Sequence, residues 1–147
     1  MSAIVYPVRT IALNIFKDVE QALPSEAAGY IFKDPWQIKT VHPLAFTVLP
    51  LTPTTTYQNS EELDLVIQRE RWNWIVYLLF GSGDDNDEIL MNVETYLSKV
   101  MKVLVGESPE PYSGELERTS AGFYGFIPNG SVWGVALWHD RNTGEEP

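Results

Sequence analysis

A chain of 147 residues with no cysteine and a formal charge of −10 excludes a disulfide framework, a thiolate metal site, an iron–sulfur cluster and a thiol nucleophile. The same charge argues against a surface that grips nucleic acid by neutralising phosphates. Hydrophobic residues make up 44% and charged residues 20%, the composition of an ordered globular protein, and the length suits one core, so residues 1–147 are read as a single domain. No apolar run reaches the roughly eighteen residues of a membrane span, and no basic region precedes a long apolar stretch near Met1, so neither a span nor a signal peptide is expected.

The first element is an amphipathic helix over residues 7–23. Val8, Ile11, Ala12, Ile15, Phe16, Val19, Ala22 and Leu23 recur at helical spacing, with Pro7 suited to the first turn and Pro24 marking the stop. Residues 25–42 are irregular, with one short apolar piece at Tyr30-Ile31-Phe32 and a turn-like Lys33-Asp34-Pro35-Trp36. Residues 44–49 read as a strand closed off by Pro43 and Pro50. The Thr-rich segment 51–62 reads as a long polar loop, a length that often carries function.

A long strand is predicted over residues 63–80. In its first half Arg69, Arg71 and Asn73 point one way and Glu70, Trp72 and Trp74 the other, whereas 75–80 is apolar on both faces. Gly81-Ser82-Gly83 breaks it. Asp85 and Glu88 have capping-box spacing at the head of a second helix whose stripe is Ile89, Val93, Tyr96, Leu97, Val100, Met101 and Leu104, stopped by Gly106. After a Pro-containing loop, 115–127 and 131–139 form a hairpin around Pro128-Asn129-Gly130, with Asn-Gly supplying left-handed backbone for the turn. Residues 140–147 are expected to be a flexible tail. The fold class is therefore α+β: a mainly antiparallel sheet with two amphipathic helices packed on one face.

Chemistry-bearing patterns are few. The acids Asp84 to Glu88 lack the alternating spacing of a calcium loop and are explained by the helix start. His42 and His139 are the only histidines, and both read as surface or strand-end residues. There is no G-x-S-x-G elbow, Walker loop or G-x-G-x-x-G, so no catalytic, cofactor-binding or metal residue is assigned and no enzyme is expected; Asp64 and Glu70 are the carboxylates an enzymatic reading would use. Gly122-Phe123-Tyr124-Gly125-Phe126-Ile127 loosely echoes the aromatic strand of RNA-recognition domains, but it lacks the leading basic residue and reads as core or subunit-interface packing. Of the strand tryptophans Trp72, Trp74, Trp133 and Trp138 some are read as core, but five tryptophans in a chain this size favour a buried protein–protein contact as well. The expected interface comprises Arg69, Glu70, Arg71, Trp72 and Trp74, with Thr54, Thr55, Thr56 and Tyr57 of the polar loop as a docking surface.

The order of these elements, with the strand Arg71-Trp72-Asn73-Trp74-Ile75-Val76-Tyr77, the Gly/Asp break and the closing Val132-Trp133-Gly134-Val135-Ala136-Leu137, resembles the tail terminator (tail completion) proteins of long-tailed bacteriophages over roughly residues 7–139. The resemblance lies in layout; the Thr-rich loop and the segment around Trp36 depart from it. It implies a structural virion protein: a homo-oligomeric ring, six-fold in that family, that caps the tail tube protein, ends its polymerisation and docks to the head–tail connector or neck, with DNA passing through without specific binding. The alternatives are another neck protein, or a small acidic module that occupies a basic cleft on a partner.

Overall fold

The computed structural model describes residues 7–39, 44–56, 69–81, 85–111 and 113–142, apart from the side chains of 52–56, 69 and 142. The fold is α+β. Helix α1 (Val8–Ala22) leads into strand β1 (Ala28–Ile31), a 3₁₀ turn (Pro35–Gln37), β2 (Leu44–Thr56), β3 (Arg69–Gly81), helix α2 (Asn86–Leu104), β4 (Glu117–Ile127) and β5 (Gly130–Asn142). The strands form one sheet in the order β1-β2-β3-β5-β4. Only the β1–β2 pair is parallel, and the dozen residues between those strands meet the crossover length that a parallel pair requires.

Both helices lie on one face, as their single apolar stripes demand. Ile11, Ile15 and Val19 of α1 and Val93, Leu97, Val100 and Leu104 of α2 are buried against Phe46, Val48, Trp72, Trp74, Val76, Leu78, Val135 and Leu137 of the sheet. These positions alternate along each strand, with period two deciding which residues meet the helices. The other face carries a smaller cluster in which Ile38 packs on Ala45, Leu79, Ile127 and Val132. The 3₁₀ turn lies over that face: Trp36 sits edge-on to Tyr77 at 5.4 Å, and Tyr77 edge-on to Tyr124 at 5.3 Å. The second half of β3 is thus covered on both sides, as its apolar run foretells.

Three local expectations are corrected. β2 does not end at Pro50: it runs to Thr56, with Pro50 opposite Trp74 and an irregularity between Leu51 and Thr54. The Val48 carbonyl accepts from Phe32 N–H on the β1 side, so period two puts the Pro50 nitrogen on that side, beyond the end of β1, where no donor is needed. Part of the Thr-rich loop is therefore strand, as β-branched residues allow; residues 57–68, including Tyr57 and the first stretch of the predicted long strand, lie outside the described residues. Second, the β4–β5 turn is not left-handed at Asn129 or Gly130, since positive φ occurs only at Phe32, Gly106 and Gly125 among the described residues. Pro128, fixed near φ of about −65°, suits a turn of ordinary hand. Gly130 is required for another reason, because a Cβ there would overlap the Phe80 carbonyl oxygen. Third, Asp140, Arg141 and Asn142 are not tail but the end of β5, paired with Arg71, Glu70 and Arg69; residues 143–147 lie outside the described residues.

The helix ends follow the expected chemistry. The Asp85 carboxylate accepts from the backbone N–H groups of Asp87 and Glu88 at 3.0 and 3.3 Å, satisfying two donors that have no partner within the helix. Gly106, at φ 91°, turns the chain after α2.

Candidate functional site

The expected interface residues separate when placed on the sheet. Trp72 and Trp74 face the helices and are buried, which withdraws them from any surface. Glu70 is half-buried and accepts from the Trp72 indole N–H at 3.1 Å. Arg71 points to the opposite face, where its guanidinium lies 3.7 Å from the Trp138 ring centroid and its Nε is 3.4 Å from Asp140 Oδ1. Both partners of that pair are about one-third exposed, so solvent screening leaves it little weight in stability. Arg69 pairs with Thr56 and Asn142, Thr54 with Arg71 and Thr55 with Glu70 through the backbone. Of the set, Arg71 and Glu70 are the side chains with described contacts that stay within reach of solvent.

Beneath this end of the sheet lies a buried polar group. His139, expected at the surface, is fully buried, because β5 continues past it and its side chain takes the helix-facing side beside Trp72 and Trp74. The Trp74 indole N–H donates to His139 Nε2 at 2.9 Å. An indole can only donate, so Nε2 is the bare nitrogen and Nδ1 carries the hydrogen. Nδ1 has no hydrogen-bond partner among the described residues, although the Asp140 backbone lies near enough to favour a proton there. Burial dominates and lowers the pKa of His139 to about 4.

That shift sets a pH window. A base whose folded pKa lies below its ordinary value near 6.5 is neutral in the fold while the unfolded chain takes up a proton, so stability is retained above pH 6.5 and lost as pH falls toward 4. The full loss is about 3 kcal/mol at 1.36 kcal/mol per unit. Urea titrations at pH 7, 5.5 and 4.5 are expected to show this decline in the parent and a much flatter profile in His139→Gln, whose amide oxygen can still accept from Trp74. The difference between the two proteins cancels the opposing contribution of Asp18, whose carboxyl is pushed upward by burial and by Glu107. Parallel profiles would refute a neutral His139.

Next to it, Arg141 Nε donates to Glu110 Oε1 at 2.8 Å with both side chains 6% exposed, and the Ser113 hydroxyl donates to the same oxygen at 2.8 Å. Neither residue stood out in the sequence, because the pair spans 31 positions and joins a loop to a strand end.

The surfaces open to a neighbour lie elsewhere. At the end of the sheet where β3 meets α2, a cleft of about 500 Å³ is lined by Phe80, Ile89, Leu90, Phe123, Phe126 and Trp133. A bulge between Phe123 and Gly125 builds it. Simple alternation would put Phe126 on the face of Tyr124; the extra residue resets the alternation and brings Phe126 to the side of Phe123, with rings 4.9 Å apart. Phe126 is 77% exposed, and Leu90 and Met91 are also exposed. Of residues 122–127, expected as core or subunit-interface packing, Ile127 is buried while Phe123, Tyr124 and Phe126 are exposed. The glycine inside a strand pattern was the available sign of a bulge.

The second exposed feature is at the opposite edge. Phe32, directly after β1, adopts φ 55° and is 75% exposed. Left-handed backbone is costly for a bulky side chain. It is held by Phe32 N–H to the Val48 carbonyl at 2.9 Å and by Thr47 Oγ1, which donates to the Lys33 carbonyl at 2.9 Å and accepts from Lys33 N–H at 3.3 Å.

Among the described residues no cluster of three or more metal-ligating side chains occurs, and no helix is long and apolar enough to cross a membrane. Neither a protein-family model nor a curated protein sequence matches the chain.

Proposed function

We propose that this chain is a structural subunit that closes into a ring at the head–tail junction of a long-tailed bacteriophage, where it caps the tail tube and meets the connector. The observation that carries this reading is the unlikeness of the two sheet edges. A cyclic, head-to-tail assembly needs two different complementary patches on each subunit. Here one edge is the 11-residue β4, exposed along most of its length, and the other is the four-residue β1 followed by the outward Phe32. The strands run in opposite senses, so β1 of one copy can extend the sheet of the next in antiparallel pairing, the use to which long uncovered edges are prone. The charge of −10 suits a ring through which DNA slides, since phosphates passing within a Debye length of roughly 8 Å meet like charge.

Light scattering behind size exclusion, with negative-stain images of the same fractions, is the test. Closed rings of uniform order are expected, either alone or on mixing with tube protein. A strict monomer at high concentration that ignores tube protein would overturn the reading.

A further inference from the structure

Beyond ring formation and independent of it, we infer that the apolar cleft at the start of α2 receives a segment of a partner protein in which a bulky apolar side chain is flanked by Lys or Arg. The cleft holds about 500 Å³, within the range of sites that enclose one or two large side chains. Its walls are aromatic and aliphatic, and two of them, Phe126 and Leu90, are more than half exposed. Contiguous apolar surface of this kind marks a protein contact.

The mouth supplies the charge preference. Asp85, Asp87 and Glu88 are exposed on the turn that carries Asn86, Ile89 and Leu90 of the lining. The Asp85 carboxylate already caps the helix. Asp87 and Glu88 form no ion pair among the described residues, and no described Lys or Arg lines the cleft. The helix dipole places only about half a positive charge at this end, so Asp85 and Asp87, which flank Asn86, Ile89 and Leu90 on the helix surface, leave this side of the cleft negative. An apolar floor under an acidic rim selects an apolar anchor with cationic neighbours.

The ring contact proposed above does not itself fill the cleft. Continuing the sheet in register places Ala28 to Ile31 of the next copy beside Gly125 to Ala121, since these residues share levels through Ala45, Leu79 and Val132 and through Val48, Val76 and Val135. The neighbour's Phe32 then falls beside Ser120, six positions from Phe126, or about 15–20 Å at the rise of a strand. The ring contact leaves the cleft open along the strand direction, toward whatever stacks on the ring.

The probe is a fluorescein-labelled peptide, Lys-Lys-Phe-Thr-Leu-Lys, read by anisotropy against a counterpart with Glu at all three Lys positions. Saturable binding is expected for the basic peptide, about tenfold weaker for the acidic one and about tenfold weaker in Phe126→Ser or Leu90→Ser, as loss of a central anchor produces. Both positions are exposed, and unchanged melting confirms that the variants fold. Affinity also falls as salt rises. No saturable binding up to millimolar peptide, equal binding of the acidic peptide, or variants that bind like the parent would each overturn the proposal. So would self-association of the parent that Phe126→Ser abolishes, because the occupant would then be a second copy. A chain that stays monomeric yet binds the basic peptide keeps this site and loses the ring.

Discussion

Trp74→Ala is expected to lower stability by about 4–5 kcal/mol, the upper part of the range for emptying a large aromatic from a core. The ring is fully buried, stacks on Trp72 at 6.4 Å and on His139 at 6.5 Å, and donates its indole N–H to His139. Removing it opens a cavity and also strands His139 Nε2, while Nδ1 has no hydrogen-bond partner among the described residues, so the imidazole loses its one described hydrogen bond in a buried site. For a domain of this length the loss amounts to about 10–15 °C in Tm. Trp74→Phe keeps most of the volume but loses the donor, and should fall by about 1–2 kcal/mol. Calorimetry or urea titration of the isolated protein decides the matter. A Trp74→Ala variant that melts like the parent while failing to assemble would return this ring to a subunit interface, one of the two places the sequence alone leaves open.

How far the sequence speaks for the structure depends on the range of the interactions involved. Both helices were legible because a 3.6-residue period is a local signal, and Asp85 and Gly106 mark the ends of the second through chemistry within one turn. The division of Trp72 and Trp74 from Arg71 and Asn73 was legible for the same reason, as period two. What alternation does not reveal is which face meets the helices and which meets solvent, so both core and contact surface stayed open for the tryptophans, and Trp72 and Trp74 build the core. The continuation of β2 through Pro50 depends on where its neighbour stops, which is knowledge of another strand. The burial of His139 depends on β5 running past Asp140 and Arg141, two charged residues that look like a strand end until Glu110 and Arg71 supply their partners. Phe123 and Phe126 meet only because one residue of bulge resets the alternation.

The last of those partners leads to the second large effect. Glu110→Ala is expected to cost about 3–5 kcal/mol, because removing one member of a buried pair leaves the other charge in a medium that solvates it poorly. Glu110 holds Arg141 Nε and the Ser113 hydroxyl at 2.8 Å each, and the same loop is pinned by Asn14 Nδ2 donating to the Pro109 carbonyl at 2.7 Å. Loss of the carboxylate therefore removes the side-chain tie between the end of β5 and the loop after α2, leaving the backbone bond from Gly114 N–H to the Asp140 carbonyl and the attachment to α1. Glu110→Gln, which keeps an acceptor oxygen but not the charge, should cost less than the alanine. Replacing both partners, Glu110→Ala with Arg141→Leu, should recover a large part of the loss, since the pair's own contribution is small once both desolvation penalties are gone. The four proteins form a double-mutant cycle in urea, and because each single substitution strands a buried charge that the double variant removes, a coupling energy of at least about 3 kcal/mol is expected, at or above the upper end for residues in direct contact. If Glu110→Ala costs less than about 1 kcal/mol, or if the double variant is as unstable as the sum of the singles, the pair does not act as a unit and the end of β5 is held by backbone bonds, its ladder with β3 and the bond from Gly114 N–H to the Asp140 carbonyl.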